Sequence, residues 1–123
     1  MDKQRKMTVA VVDDDEAVRD SLRFLLETAG FDVDIFASAC QFLKSGYAAR
    51  ATCVLVDQHM PRTTGLDLLR QLRGLGNMVP VALMTGSPSI ELTRLALELG
   101  VSDVMEKPLA DEALFDFIAR ASL

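Results

Sequence analysis

Short apolar runs recur along this chain and alternate with longer stretches of helical periodicity. Four of these runs, at 9–12, 53–56, 81–84 and 104–105, are continuous and end at polar residues, which is typical of parallel strands buried on both faces. The segment 31–35 instead alternates apolar and acidic residues, and this pattern predicts a half-buried strand at the edge of a sheet. The chain therefore contains five predicted strands.

Apolar residues at helical spacing occupy the segments that follow the strands. The predicted helices are about 16–29, 38–45, 65–73, 88–99, and a last one that starts at residue 111. Strand and helix alternate five times, and this alternation predicts an α/β sandwich built on one doubly wound parallel sheet.

A few residues mark where these helices begin and end. Gly30 and Gly100 follow the first and fourth helices and predict their C-terminal ends. Pro88 is favoured in the first turn of a helix, and Asp111 is expected as the N-cap of the last one.

Composition narrows the class of protein. The chain has 123 residues, half of them apolar, and a formal net charge of −5, which together favour a single domain and disfavour nucleic-acid binding. The longest apolar stretch is far too short to span a membrane, and no charged-then-apolar leader precedes the first strand, so we expect a soluble cytoplasmic protein with no membrane contact. We expect residues 1–7 to form a flexible polar head, and we see no output domain within 1–123.

The two cysteines, Cys40 and Cys53, are too few for a disulfide framework. Cys53 lies in a predicted core strand and Cys40 in a predicted helix. We expect both to be buried thiols that behave as small hydrophobic side chains.

Polar residues with related chemistry lie at or just beyond the ends of the predicted strands. They are Asp13, Asp14, Asp57, Thr85 and Lys107. The carboxyl ends of parallel strands meet at one edge of the sheet, where open α/β folds place their sites. Three carboxylates, a hydroxyl and an ammonium group at that edge suggest a divalent metal, an acceptor carboxylate and a phosphoryl group.

Four segments of the chain match a known family. They are Val11-Val-Asp-Asp14, the stretch from Asp57 to Leu69, Met84-Thr-Gly86, and Lys107-Pro108. In this order, the chain from about Thr8 to Ala121 resembles the receiver domain of two-component response regulators. The resemblance implies a flavodoxin-like sandwich with five helices and the strand order 2-1-3-4-5.

The resemblance also implies roles for the site residues. Asp57 would be the phosphoacceptor, and it would take its phosphoryl group from a sensor histidine kinase or a phosphotransfer protein. Asp14 and Asp57 would bind Mg²⁺ directly (Mn²⁺ is the alternative), Asp13 would act through water, and the backbone carbonyl of His59 would add a ligand. Lys107 would pair with Asp57 at rest and with a phosphoryl oxygen afterwards.

Further residues would sense the phosphoryl group. The hydroxyl of Thr85 would move toward it, Gly86 would keep the backbone open to it, and the peptide bond before Pro108 would be cis. His59 is the only histidine; we expect a solvent-facing imidazole beside the pocket, where it would tune the lifetime of the phosphate. Val104 stands where the family often has Tyr or Phe, so the switch would be transmitted without that ring.

Three apolar residues lie off the buried faces of the last two helices: Ile90, Leu97 and Phe115. If they adjoin, the fourth helix, fifth strand and fifth helix present a surface for a homodimer or a partner. The alternative is that they are ordinary surface apolar residues.

The sequence thus predicts a phosphoacceptor switch that catalyses only its own phosphorylation and dephosphorylation. The alternative is a receiver-like interaction module that phosphorylation does not regulate. A metal-dependent phosphatase would need a second carboxylate two residues after Asp57, where His59 lies. A flavin site would need a loop rich in Gly, Ser and Thr after the first strand, and the chain has acidic residues there.

Overall fold

A computed structural model describes residues 7–123, and in them a parallel sheet of five strands has the order β2-β1-β3-β4-β5. The strands are β1 (Thr8–Val12), β2 (Asp32–Phe36), β3 (Cys53–Asp57), β4 (Val81–Thr85) and β5 (Asp103–Glu106). The helices that follow them are α1 (Glu16–Thr28), α2 (Ala39–Ser45), α3 (Gly65–Gly74), α4 (Ile90–Glu98) and α5 (Asp111–Ala121), with a 3₁₀ turn at Tyr47–Ala49. The predicted fold and strand order are confirmed.

The burial of each strand follows from its place in the sheet. β1 pairs with both β2 and β3 in parallel, so that Val9 lies opposite Val33 on one side and Cys53 on the other. Every residue of β3 and β4 is buried, because helices cover both faces of the sheet. β2 lies at an edge, as its sequence predicted, and its acidic residues Asp32 and Asp34 are exposed on either side of the buried Val33.

The side chains of each strand point alternately to two apolar cores. Ala10 and Val12 contribute to the core beneath α2, α3 and α4, which also contains Phe42 and Leu69. Their neighbours in β1, Val9 and Val11, contribute to the core beneath α1 and α5. Because the residues of each strand pack alternately on these two cores, the sheet lies between two layers of helices.

Two predicted helix boundaries are corrected. The N-cap of α4 is Ser89, whose hydroxyl accepts a hydrogen bond from the backbone N–H of Leu92, so Pro88 lies just before the helix rather than in its first turn. Asp111 is the first residue of α5, and its N-cap is Ala110, which has no side chain that could cap. In both cases the backbone turns into the helix one or two residues away from the position that propensity favours.

One further expectation, the burial of both cysteines, is corrected. Cys53 is buried, and burial raises the pKa of its thiol to about 12, but Cys40 is exposed on α2 because it lies on the outer side of that helix. The flexible head was expected to span residues 1–7. Of these the structure describes Met7, whose carbonyl accepts a hydrogen bond from the N–H of Asp32. Residues 1–6, the rest of that expected head, lie outside the described residues.

Candidate functional site

The ends of β1, β3 and β5 bring three charged side chains into direct contact. Nζ of Lys107 lies 2.9 Å from Oδ2 of Asp13 and 3.2 Å from Oδ1 of Asp57. Asp13 follows β1, Asp57 ends β3, and Lys107 follows β5, so the parallel sheet alone explains their convergence. The expected pairing of Lys107 with Asp57 is present, and Asp13 is a second partner that we did not predict.

The carboxylate of Asp13 is held by the chain on both of its oxygens. Oδ1 accepts a hydrogen bond from the N–H of Asp15, and Oδ2 accepts one from Lys107. Its backbone carbonyl accepts a further hydrogen bond from the guanidinium of Arg19. Asp13 is therefore an oriented, fully buried acceptor.

Three acidic side chains form a group that fits a divalent cation. Asp13, Asp14 and Asp57 each offer a carboxylate oxygen, and these oxygens lie within 4.8 Å of one another. Asp13 and Asp57 are buried whereas Asp14 is exposed, so the group is reached from solvent on the side of Asp14. Clustered carboxylate oxygens are the ligands that hard cations such as Mg²⁺ prefer.

The protonation equilibria reflect this crowding of negative charge. Burial and the charge of Asp13 raise the pKa of Asp57, and the attraction of Lys107 only partly offsets them. Burial alone would lower the pKa of Lys107, but Asp13 and Asp57 together raise it. The ammonium thus stays charged. Its one positive charge faces more than one carboxylate, so the excess negative charge of the site favours a further cation.

The hydroxyl of Thr85 has two partners beside the acidic group. Its Oγ1 accepts a hydrogen bond from the N–H of Ser87 at 3.0 Å and lies 3.1 Å from Nε2 of His59. Thr85 is fully buried, and its carbonyl accepts a hydrogen bond from the backbone N–H of Lys107. His59 is exposed, as expected, but its contact with Thr85 was not predicted.

The loop after β3 is held by backbone and side-chain contacts that the sequence did not reveal. The N–H of Gln58 donates to the carbonyl of Met84, and the side-chain oxygen of Gln58 accepts from the N–H of Leu66. Gly65 packs against the carbonyl of Asp57 so closely that a side chain has no room there. Both residues belong to the matched stretch from 57 to 69, which was the only signal that could have pointed to them.

Two smaller expectations concern the peptide bond before Pro108 and the space around Gly86. The peptide bond between Lys107 and Pro108 is cis, as the resemblance implied. Gly86 is exposed, and a Cβ there would meet no atom within 4 Å. Space alone therefore does not require glycine at residue 86.

The expected output surface is only partly assembled. Ile90 and Leu97 are 88% and 60% exposed on α4, and Val104 is half-buried against the core beneath that helix. Phe115 instead packs on the core beneath α1 and α5, with its ring centroid 6.2 Å from that of Phe31. Phe115 therefore packs beside Phe31, on the core beneath α1 and α5, rather than with Ile90 and Leu97 on α4.

Within residues 7–123, no helix is long and apolar enough to cross a membrane.

Known proteins resemble this chain over nearly its whole length. Residues 9–119 match the family model described as the response regulator receiver domain. The transcriptional regulatory protein FixJ of Azorhizobium caulinodans is 42% identical over 117 residues, which are 95% of this chain and 55% of that protein. The response regulator protein TodT of Pseudomonas putida is 33% identical over 95% of this chain and 52% of its own length.

A solved structure shows the same fold. The crystal structure of FixJ-N superposes with a TM-score of 0.85 at 36% sequence identity, over 97% of this chain and 95% of that one. The chain spans about half the length of the curated relatives that it matches. The match to the family model, the strand order and the acidic group agree, and the chain belongs to the family of response regulator receiver domains.

Proposed function

We propose that this chain is a phosphoacceptor switch, in which Asp57 accepts a phosphoryl group from the phosphohistidine of a sensor kinase or phosphotransfer protein. The observation that supports it most is the ammonium of Lys107 between Asp57 and Asp13, beside the third carboxylate of the acidic group. One ammonium does not neutralise three carboxylates, so the site suits a bound cation and an incoming phosphate together.

The donor set fits a hard divalent cation, and we assign Mg²⁺, with Mn²⁺ as a substitute. Asp14 and Asp57 would hold it directly, Asp13 through water, and the backbone carbonyl of His59 would complete the protein ligands. When bound, such a cation neutralises the charge on the oxygens of the transferred phosphoryl group.

A carboxylate oxygen of Asp57 attacks phosphorus and forms an acyl phosphate. The bond between phosphorus and the donor nitrogen breaks, and its electron pair stays on the donor imidazole. Lys107 gives up its contact with Asp57 and pairs with a phosphoryl oxygen, while its contact with Asp13 keeps the ammonium in place. Attack of water on phosphorus later restores the carboxylate, so the reaction is confined to the protein's own Asp57.

The hydroxyl of Thr85 responds to the phosphorylation of Asp57. It lies at the end of β4, next to β3 in the sheet, and a phosphoryl oxygen is a charged acceptor, to which its proton would make a stronger hydrogen bond than to a neutral one. Because Val104 has no long swinging side chain, we assign the transmitted change to the segment between Thr85 and α4. Ile90 and Leu97 would then gain or change contacts in a homodimer or with a partner.

Intact-mass measurement after incubation with acetyl phosphate tests the proposal. We expect one added phosphoryl group with Mg²⁺, and none in Asp57→Asn or with a chelator. Thr85→Ala should still be labelled but should lose most of the conformational response. Labelling that survives in Asp57→Asn would reject Asp57 as the acceptor, and a wild type that is never labelled would favour an interaction module that phosphorylation does not regulate.

A further inference from the structure

The hydrogen bond between Thr85 and His59 has no part in the phosphoryl transfer described above. Oγ1 of Thr85 lies 3.1 Å from Nε2 of His59 and accepts the N–H of Ser87 at 3.0 Å. A hydroxyl has one proton to donate and two acceptor positions. The N–H of Ser87 takes one acceptor position, and either neutral tautomer of the imidazole can supply the second contact.

The two residues are held at this separation by the sheet rather than by a loose loop. The N–H of Gln58, the residue before His59, donates to the carbonyl of Met84, the residue before Thr85, at 2.8 Å. The next residue after His59, Met60, is buried in the core. His59 is thus anchored on both sides while its own side chain is exposed.

The present hydrogen bonds of the Thr85 hydroxyl compete with the contact to a phosphoryl group that we propose for it. Among the described residues, no hydrogen bond joins its hydroxyl to Asp57 or to the ammonium of Lys107. In the tautomer whose Nε2 carries no proton, the hydroxyl donates its one proton to Nε2 and must leave it before it can donate to a phosphoryl group on Asp57. The two donated hydrogen bonds therefore belong to alternative conformations.

We propose that His59 is a positioning residue that holds the Thr85 hydroxyl in the unphosphorylated arrangement and so opposes switching until a phosphoryl group is present. This inference rests on the proposed function. A single hydrogen bond of this kind shifts an equilibrium by roughly two- to tenfold, so His59 suppresses the switched conformation in the resting protein without preventing it.

Amide NMR spectra of ¹⁵N-labelled protein, titrated with beryllofluoride in the presence of Mg²⁺, test this role. In His59→Ala without beryllofluoride, we expect the amide signals of Ser87 and α4 to move part of the way toward their positions in the saturated wild type. The beryllofluoride concentration at half-saturation should fall roughly two- to tenfold, as expected for the loss of one hydrogen bond.

Three further variants separate this role from a merely structural one. His59→Gln retains a side-chain amide near the position of Nε2 and should return the spectrum toward wild type. Arg62→Lys changes an exposed residue of the same loop and should match wild type. In a Thr85→Val background, the change from His59 to Ala should have no further effect, because the hydroxyl is already absent.

The outcomes distinguish this inference from the proposed function. A wild type that responds to beryllofluoride while His59→Ala has the same half-saturation rejects the role of His59 alone. Weaker binding by His59→Ala would mean that the imidazole helps to hold the anion, which also overturns the inference. A wild type without any response to Mg²⁺ and beryllofluoride rejects both proposals.

Discussion

Gly65 lies directly against the backbone carbonyl of Asp57: a Cβ atom at residue 65 would stand 2.8 Å from that oxygen. It would also stand 2.6 Å from a methyl group of Leu83, which is buried in β4. The first residue of α3 therefore sets the distance between that helix and the end of β3. The position of Asp57 therefore depends on the absence of a side chain at Gly65, eight residues further along the chain.

Gly65→Ala should destabilise the fold and displace Asp57. The carbonyl belongs to rigid backbone and cannot move aside, so overpacking should cost about 1–3 kcal/mol. Chemical denaturation followed by circular dichroism measures this cost; the chain contains no tryptophan, so intrinsic fluorescence is a poor probe.

Gly74→Ala is the matched control for that variant. Gly74 ends the same helix, and a Cβ there meets no atom within 4 Å. It should leave stability unchanged or raise it by about 0.5–1 kcal/mol. Equal effects of the two substitutions would contradict the close packing of Gly65.

Asp57→Asn should be more stable than wild type at pH 7 in the absence of metal. Burial and the charge of Asp13 raise the pKa of Asp57 in the folded state, so the folded protein binds more protons than the unfolded chain between the two pKa values. The free energy of unfolding then falls as the pH rises through the folded pKa, and asparagine removes this loss. Melting temperatures measured from pH 7 down to about 4 should show the advantage shrinking.

Two comparisons support that interpretation of Asp57→Asn. Asp116→Asn, which changes an exposed carboxylate on α5, should not show the same gain. Saturating Mg²⁺ should stabilise wild type more than Asp57→Asn and so narrow the difference. A variant less stable than wild type at pH 7 would show that the attraction of Lys107 exceeds the cost of burying the charge.

Lys107→Met should bind Mg²⁺ more tightly yet accept phosphate poorly. The ammonium contacts two carboxylates of the acidic group, and removing a positive charge so close to a cation should tighten binding on the order of tenfold. Transfer slows because no ammonium remains to pair with the phosphoryl oxygens. Titration calorimetry measures the first effect, and the rate of labelling by acetyl phosphate measures the second.

Lys44→Met is the control for the loss of one lysine. Lys44 is exposed on α2 and should leave both quantities at their wild-type values. Weaker Mg²⁺ binding in Lys107→Met would indicate that the ammonium orders the carboxylates rather than competing with the cation.

Ile90→Asp should weaken the association through α4 that, as we propose, strengthens when Asp57 is phosphorylated. Ile90 and Leu97 expose their side chains on one side of α4, and a buried carboxylate at an apolar contact is costly. Sedimentation of wild type and variant, with and without Mg²⁺ and beryllofluoride, measures this association.

Met78→Asp provides the comparison for Ile90→Asp. Met78 is 69% exposed but lies before β4, at the opposite end of that strand from Thr85. The Met78→Asp variant should therefore associate as wild type does. A wild type that stays monomeric in every state, and binds no partner through α4, would leave Ile90 and Leu97 as ordinary surface residues.

The sequence by itself determined the fold and the membership of the acidic group. Strands buried on both faces must be apolar throughout, so their ends are visible as the points where polar residues return. Asp13, Asp57, Thr85 and Lys107 all lie at such points, and a parallel sheet brings those points to one edge whatever the details of packing.

Only the tertiary structure decided which side chains touch at that edge and which way the helices turn. Only the three-dimensional structure shows the contact of Lys107 with Asp13, the contact of His59 with Thr85 and the exclusion of a side chain at Gly65. Each joins residues from different strands, helices or loops. Phe115 packs against Phe31 on the core beneath α1 and α5, not beside α4. Periodicity describes one segment at a time, whereas these contacts depend on the relative positions of segments that are distant in the chain.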